Sequence, residues 1–167
     1  MDKYEEDIEK TLQNLNISFK KMEHEEMFTM DQYGDIERKL GTCVPKNLFL
    51  CNQQHTKFYL LLMPGSKRFK TKELSKQINS PRLSFASSEE LGEDLHSFKG
   101  CTNPFALLYD TNSMVRLLID EDLLEKEELA FHPCTNKVTL SVKTKDFLDK
   151  FLVYAKHSYT KVTLLGE

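Results

Sequence analysis

The stretch GTCVPKNLFLCNQQHTKFYLLLM, residues 41–63, decides how the rest of the chain must be arranged. Leu48 to Cys51 and Phe58 to Met63 are almost continuously apolar, whereas a strand with one wet face alternates. Both are therefore expected as central strands covered on two sides, folded into a hairpin by the polar turn between them. Lys46 and Asn47 open the first strand, which places a cation at the mouth of a buried sheet.

Working outward, 167 residues with 40% hydrophobic content suit one compact domain spanning residues 1–167. The opening MDKYEEDIEK is acidic and helical rather than basic and then apolar, so it does not read as a secretory signal. No apolar run approaches the ~20 residues of a membrane span. Cys43, Cys51, Cys101 and Cys134 lack CxxC or Cys/His spacing, which suggests neither a zinc site nor a disulfide framework. Free thiols in a reducing cytoplasm, with no metal and no cofactor, are the expectation. The net charge of −3 argues against a general nucleic-acid binder. It is unevenly placed, however: Lys57, Lys67, Arg68, Lys70, Lys72, Lys76 and Arg82 face a single acid, Glu73, within residues 57–82. Such a segment suits either an anionic partner docking on one face or a solvated helix face.

Tyr4, Ile8, Leu12 and Leu15 recur at helical spacing and predict a helix over 2–15, followed by a short strand with Ile17, Phe19 and Met22. Thr29 is expected to cap a second helix ending at Gly41, and Thr71 a short helix to Ile78. Arg82 to Ala86 reads as a strand, and Ser87 with Glu90 as a capping box opening a helix to about His96. Phe105 to Tyr109 and Val115 to Ile119 flank the turn DTNS like a hairpin, with a turn or short helix over 120–128. Further strands are expected at 129–131, 137–143 and 161–165, and Thr144 should cap a helix burying Phe147, Leu148, Phe151, Leu152 and Ala155. Without a regular βαβ repeat, this pattern predicts an α+β fold, a mixed central sheet wrapped by helices.

Phosphate loops, HExxH and the GxSxG elbow are absent. His24-Glu-Glu lacks the second histidine of a zinc motif. What remains is polar residues at strand ends and in loops: Lys46, Asn47, the loop Gly100-Cys101-Thr102-Asn103-Pro104, and His132. In that setting PKNLFLCN, PGSKR, RLSFAS, GCTNPFALLYD and FHPCTNKVTLSV, in this order, resemble the free-standing prolyl-tRNA editing proteins. These are the alanyl-prolyl-tRNA deacylase branch of the YbaK and ProRS-insertion superfamily. Relatives acting on cysteinyl-tRNA typically carry Lys-Thr at the strand and lack Phe-His-Pro. Lys46-Asn47 and Phe131-His132-Pro133 favour the alanine branch, although Thr102 stands where the family's loop has valine.

The resemblance implies a YbaK-like fold and hydrolysis, in trans, of the ester in alanyl-tRNA mischarged on proline tRNA. The implied partners are that tRNA and, as a second candidate, prolyl-tRNA synthetase. Lys46 would hold the 3′ end and stabilise the ester oxyanion, and Asn47 would orient substrate or water, against the plainer readings of a solvated cation and a backbone cap. Gly100, Cys101, Thr102 and Pro104 would form a loop whose backbone N–H groups, which Pro104 itself lacks, bind the carbonyl, or only a tight turn. His132 would line the pocket or be a hydrogen-bonded structural histidine. Lys67, Arg68 and Lys70 would contact tRNA phosphates. Two alternatives stay open: a cysteinyl-tRNA deacylase of the same fold, and a non-catalytic regulator that binds tRNA or the synthetase.

Overall fold

The computed structural model of the chain describes residues 3–26, 30–87, 89–90, 102–133 and 137–166. The hairpin is where the sequence places it: β2 (Lys46–Cys51) and β3 (Phe58–Met63) pair antiparallel, Lys46 opposite Met63 and Cys51 opposite Phe58. Every residue of β3 is buried, as a strand apolar on both faces requires. Beside it, β5 (Val115–Asp120) runs parallel to β3, β8 (Tyr159–Val162) runs parallel to β5, and the two-residue β4 (Ser84–Phe85) closes the far edge on β2. This five-stranded mixed sheet has the order β4-β2-β3-β5-β8. A second, antiparallel sheet of order β1-β7-β6 is built from β1 (Phe19–Glu23), β6 (Glu128–Phe131) and β7 (Val138–Lys143).

The main core fills the space between the sheets. Phe49, Leu60, Leu62, Leu117 and Ile119 from one face of the mixed sheet meet Leu129, Phe131, Leu140 and Val142. Helix α1 (Lys3–Asn14) adds Ile8 and Leu12, and Asn16 in the left-handed region (φ 57°) turns the chain into β1. The opposite face of the mixed sheet buries Leu50, Tyr59, Leu61, Met63 and Leu118 under Leu74 of α3 (Thr71–Gln77). Helix α2 (Met30–Leu40) ends at Gly41, whose φ of 65° is the left-handed cap expected there. It sets Ile36 against Val44 and Ala130. Between β5 and β6 lies the short α4 (Glu121–Leu124). Helix α5 runs as Thr144–Asp146, widens into a π-helical stretch over Phe147–Phe151, and ends as Leu152–Tyr154.

Several local expectations are corrected. Phe105 to Tyr109 is not a strand but part of a 3-10 helix, Pro104–Tyr109, and β5 pairs with β3 and β8 rather than with it. Pro104 at the first turn presets a helical φ, and a five-residue apolar run is too short for periodicity to separate strand from helix. The turn after it is held by Asp110, whose carboxylate accepts from the N–H groups of Met114 (3.0 Å) and Val115 (2.9 Å). Lys70, not Thr71, is the N-cap of α3, because the Thr71 hydroxyl donates across to Leu83 O at 2.8 Å. Lys143, not Thr144, occupies the N-cap position of α5, without a side-chain capping hydrogen bond. The last strand, β8, begins and ends earlier than expected. The Ser87–Glu90 capping box forms reciprocally, at 2.9 and 3.1 Å, while its helix to His96 and the Thr29 cap lie outside the described residues.

Candidate active site

Strand alternation sends Lys46 and Asn47 to opposite faces of the mixed sheet. Lys46 is paired with Met63, on the face covered by α3, and Asn47 with Leu62, on the face of the main core. The half-buried Lys46 Nζ donates to the carbonyl of Lys67 at 2.6 Å and forms no ion pair among the described residues. Its only protein partner described is neutral, so the charge is left for an anion to complete. Asn47 Nδ2 donates to Pro45 O at 3.3 Å, and its Oδ1 is buried without a hydrogen-bond partner among the described residues. A buried acceptor in that state favours a donor from outside the chain.

Lys67 itself is engaged inward. Its ammonium bridges Asp120 (2.9 Å) and Asp122 (2.7 Å) and donates to Leu164 O at 2.6 Å. Burial disfavours its charge, but the two carboxylates outweigh that and raise its pKa. Arg68 and Lys70 are exposed, as are Lys72, Lys76 and Arg82. Glu73, the one acid of this segment, accepts the backbone N–H of Leu165. The cations around α3 thus stay in water on the same face as the Lys46 ammonium. Lys70, Lys72 and Lys76 border a shallow groove of about 300 Å³ there.

Of the remaining candidates, the structure brings Pro104 and His132 near one another through the residues that flank them. Asn47 lies opposite Leu62, Pro104 precedes Phe105, and His132 follows Phe131, and the rings of Phe105 and Phe131 stand edge to face at 5.4 Å. Thr102 is half-buried and Asn103 fully buried in extended backbone before the 3-10 helix, while Gly100 and Cys101 lie outside the described residues. A parallel bridge between Cys43 and Leu129, with Ala130 N donating to Cys43 O at 2.9 Å, stitches the two sheets together. Lys46 and His132 each follow that bridge by three residues in the same direction.

His132 is 2% exposed, and desolvation pushes its pKa down to about 4, with His24 adding to that shift and the Val138 carbonyl opposing it. It is therefore a neutral imidazole at physiological pH. Its Nδ1 lies 3.1 Å from Val138 O, which can only accept, so Nδ1 carries the proton. Thr139 Oγ1 is 3.3 Å from the same nitrogen and 2.8 Å from Nε2 of His24, whose Nδ1 is 2.8 Å from Glu25 O. His24 belongs to this cluster although the sequence offered no reason to include it. The signal is structural: His24 N donates to Lys137 O at 2.9 Å, which extends the β1–β7 ladder by one residue and sets the ring beside Thr139.

A separate open cleft of about 810 Å³ lies between α2, the turn leaving β3 at Pro64–Ser66 and the segment 126–128, and neither Lys46 nor His132 lines it. Its floor is a polar chain in which Ser141 Oγ donates to Thr42 Oγ1 (3.0 Å), Thr42 to Glu128 (3.0 Å), and Lys20 pairs with Glu128 at 3.3 Å.

Comparison with known proteins matches these features to one family. Residues 24–150 match the aminoacyl-tRNA editing domain family, a span that includes Lys46, Asn47, the loop before Phe105 and His132. The prolyl-tRNA editing protein ProX of Acetoanaerobium sticklandii is 29% identical over 153 residues, covering 92% of this chain and 93% of its own. A prolyl-tRNA synthetase associated domain-containing protein of Danio rerio is 30% identical over 154 residues, covering 91% of this chain and 83% of its own. A crystal structure described as a candidate trans-editing enzyme for prolyl tRNA synthetase superposes with a TM-score of 0.69 at 16% identity, over 98% of this chain and 99% of its own, and so shares the α+β fold. With that match covering residues 24–150, more than half of its length, the chain belongs to the aminoacyl-tRNA editing domain family.

Proposed function

We propose that the chain is a trans-editing deacylase that hydrolyses the ester of alanyl-tRNA mischarged on proline tRNA, acting as one editing domain in the cytoplasm. The observation that carries this reading is the Lys46 ammonium, which rests on a neutral carbonyl beside exposed cations rather than on a carboxylate. Such a group answers the phosphate or ribose of a tRNA 3′ end. It also stabilises the oxyanion that forms when water attacks the ester. Asn47 contributes an unsatisfied acceptor that orients the attacking water or the α-amino group. His132, held neutral, shapes the pocket and carries no charge to it. Thr102 and Pro104 are assigned to the wall that faces the amino acid, while Gly100 and Cys101, the other members of that loop assignment, lie outside the described residues. No nucleophilic side chain is required.

The selectivity follows from size. A synthetase site built for proline admits alanine because the smaller side chain fits, so a second sieve is needed. That sieve must reject proline sterically, since an extra methylene in an apolar pocket ordinarily strengthens binding by about 1 kcal/mol. The test is deacylation of alanyl-, cysteinyl- and prolyl-tRNA by the purified chain, side by side. Fast release of alanine with prolyl-tRNA intact is the expected result. Preferential release of cysteine would reassign the substrate within the family. Binding of all three without turnover would make the chain a regulator, and efficient cleavage of prolyl-tRNA would end the editing proposal.

A further inference from the structure

At the opposite end of the β2–β3 hairpin from Lys46, three unlike ligand atoms converge. Cys51, wholly buried at the end of β2, places Sγ 3.4 Å from Nδ1 of His55 in the turn. The carboxylate of Glu90 places its oxygens 2.9 and 3.0 Å from the same nitrogen. All three ligand atoms lie within 4.8 Å of one another. The turn is built to hold this arrangement. Asn52 Oδ1 accepts from Thr56 N (2.8 Å) and Lys57 N (3.1 Å), and His55, with φ at 55°, sits in left-handed backbone that a β-carbon disfavours. That conformation folds the imidazole back over the sulfur. The Ser87–Glu90 capping box fixes the carboxylate from the other side.

Two ordinary readings of such a trio fit poorly. In a nucleophilic triad the thiol and the acid face opposite nitrogens of the histidine, so that a proton taken from one side is balanced by the other. Here both face Nδ1, and a proton on that atom cannot serve a relay. A plain His–Glu ion pair needs neither the buried sulfur nor the left-handed turn. Convergence on one point is instead what a metal ion demands. Bonds of about 2.0–2.3 Å to N, O and S in a tetrahedron put the ligand atoms about 3.3–3.7 Å apart, close to the 3.4 Å from Sγ to Nδ1 and the 2.9 and 3.0 Å from Nδ1 to the carboxylate.

We propose that Cys51, His55 and Glu90 form a binding site for a thiolate-accepting divalent transition-metal ion of the zinc type, which clamps the hairpin tip to the segment carrying Glu90. One thiolate, one imidazole and one carboxylate select this class over magnesium or calcium, and three protein ligands leave a fourth position for water. The balance is simple. Without the ion, Nδ1 shares its proton with the carboxylate and burial keeps Cys51 a thiol. On binding, the sulfur proton leaves to solvent, and the histidine presents the Nδ1 lone pair with its proton on Nε2. No redox step is involved. The sequence hides the site because Glu90 arrives 35 residues after His55.

The test uses the full chain, stripped with a chelator and titrated with cobalt(II) alone and then with zinc(II). One equivalent of cobalt is expected to give the intense visible absorption of a tetrahedral ion and a thiolate-to-cobalt charge-transfer band, both removed by stoichiometric zinc. Cys51→Ser should abolish the charge-transfer band, and His55→Ala and Glu90→Gln should each weaken binding at least tenfold. Cys43→Ser should change nothing. Zinc should raise the melting temperature of the unaltered chain but not of Glu90→Gln. Because Cys51→Ser puts a hydroxyl in a wholly buried position, the partly exposed His55 and Glu90 variants, checked by circular dichroism, decide on their own. A pale spectrum without the thiolate band, or undiminished affinity in both variants, overturns the proposal.

Discussion

Two single residues carry sharply opposed electrostatic roles. Lys46 sets its ammonium against the carbonyl of Lys67 with no carboxylate partner among the described residues, and its head lies at a strand end rather than in the core. Lys46→Ala should therefore lower alanyl-tRNA turnover about a hundredfold to a thousandfold, the usual loss for a charge-stabilising donor, with an unchanged circular dichroism spectrum. Normal turnover in a folded variant would take the residue out of the mechanism. His132 is the reverse case, buried and held neutral, with a pKa near about 4. Because its folded-state value lies below the ordinary ~6.5, the unfolded chain takes up the proton first as pH falls. Its contribution to stability is full above about pH 6.5 and is lost as pH drops toward about 4, at most about 3 kcal/mol. Urea midpoints measured from pH 7 to 4.5 should fall steeply for the unaltered chain and less steeply for His132→Gln. Parallel slopes would show that another group governs acid unfolding.

At the scale of elements, what could be read in the sequence was whatever depended on local pattern alone. The β2–β3 hairpin declared itself because both strands are apolar on both faces, and Gly41 and the Ser87–Glu90 box fell where helix-end chemistry puts them. The 3-10 helix after Asn103 was illegible, since Phe105 to Tyr109 is equally apolar as strand or helix and only its packing on Phe131, Phe147 and Phe151 decides. Lys46 and His132 are singled out by the motifs around them, whereas His24 meets His132 and Thr139 through one added rung of the β1–β7 ladder, which no local pattern announces. The same holds for Asp110. Read as part of a hairpin turn, it proves to be a buried hub that also accepts from His157 at 2.9 Å, both side chains being at most 4% exposed. The bond to Asp110 raises the His157 pKa against desolvation, and the Asp110 carboxyl is lowered by His157 and the two N–H groups in spite of its own burial. Asp110→Asn should therefore cost about 3–5 kcal/mol, the range for breaking a buried pair, and bring the urea midpoint down accordingly. The His157 share of stability is present below about pH 6.5 and is lost as pH rises through its raised folded-state value. A midpoint within experimental error of the unaltered chain would show that the pair is replaceable.

For the molecule as a whole, the proposed function asks an acidic chain to hold a polyanion, and the exposed cations near Lys46 are the candidate face for it. Lys67, Arg68 and Lys70 are neighbours in sequence, yet they do different work. Lys67 neutralises Asp120, which is wholly buried, whereas Arg68 and Lys70 stand in solvent on the face where the Lys46 ammonium sits. If that face receives the tRNA acceptor end, each phosphate contact releases condensed counterions, and affinity falls with salt at a slope of about 0.7–0.9 per contact. Arg68→Ala with Lys70→Ala should then weaken tRNA binding at low salt and reduce that slope by about 1.4–1.8, while leaving the melting temperature within a degree or two. Lys67→Ala should do the opposite. It leaves the buried Asp120 carboxylate without its cation and, among the described residues, with the Asp122 N–H as its remaining hydrogen-bond donor, so the melting temperature drops markedly and the salt slope of the protein that remains folded barely changes. Filter binding across 50–300 mM salt, run with thermal melts of the same preparations, separates the two. An unchanged slope in the Arg68/Lys70 double variant would return those cations to ordinary solvation and move the tRNA to another face, with the polar cleft beside α2 as the next surface to test.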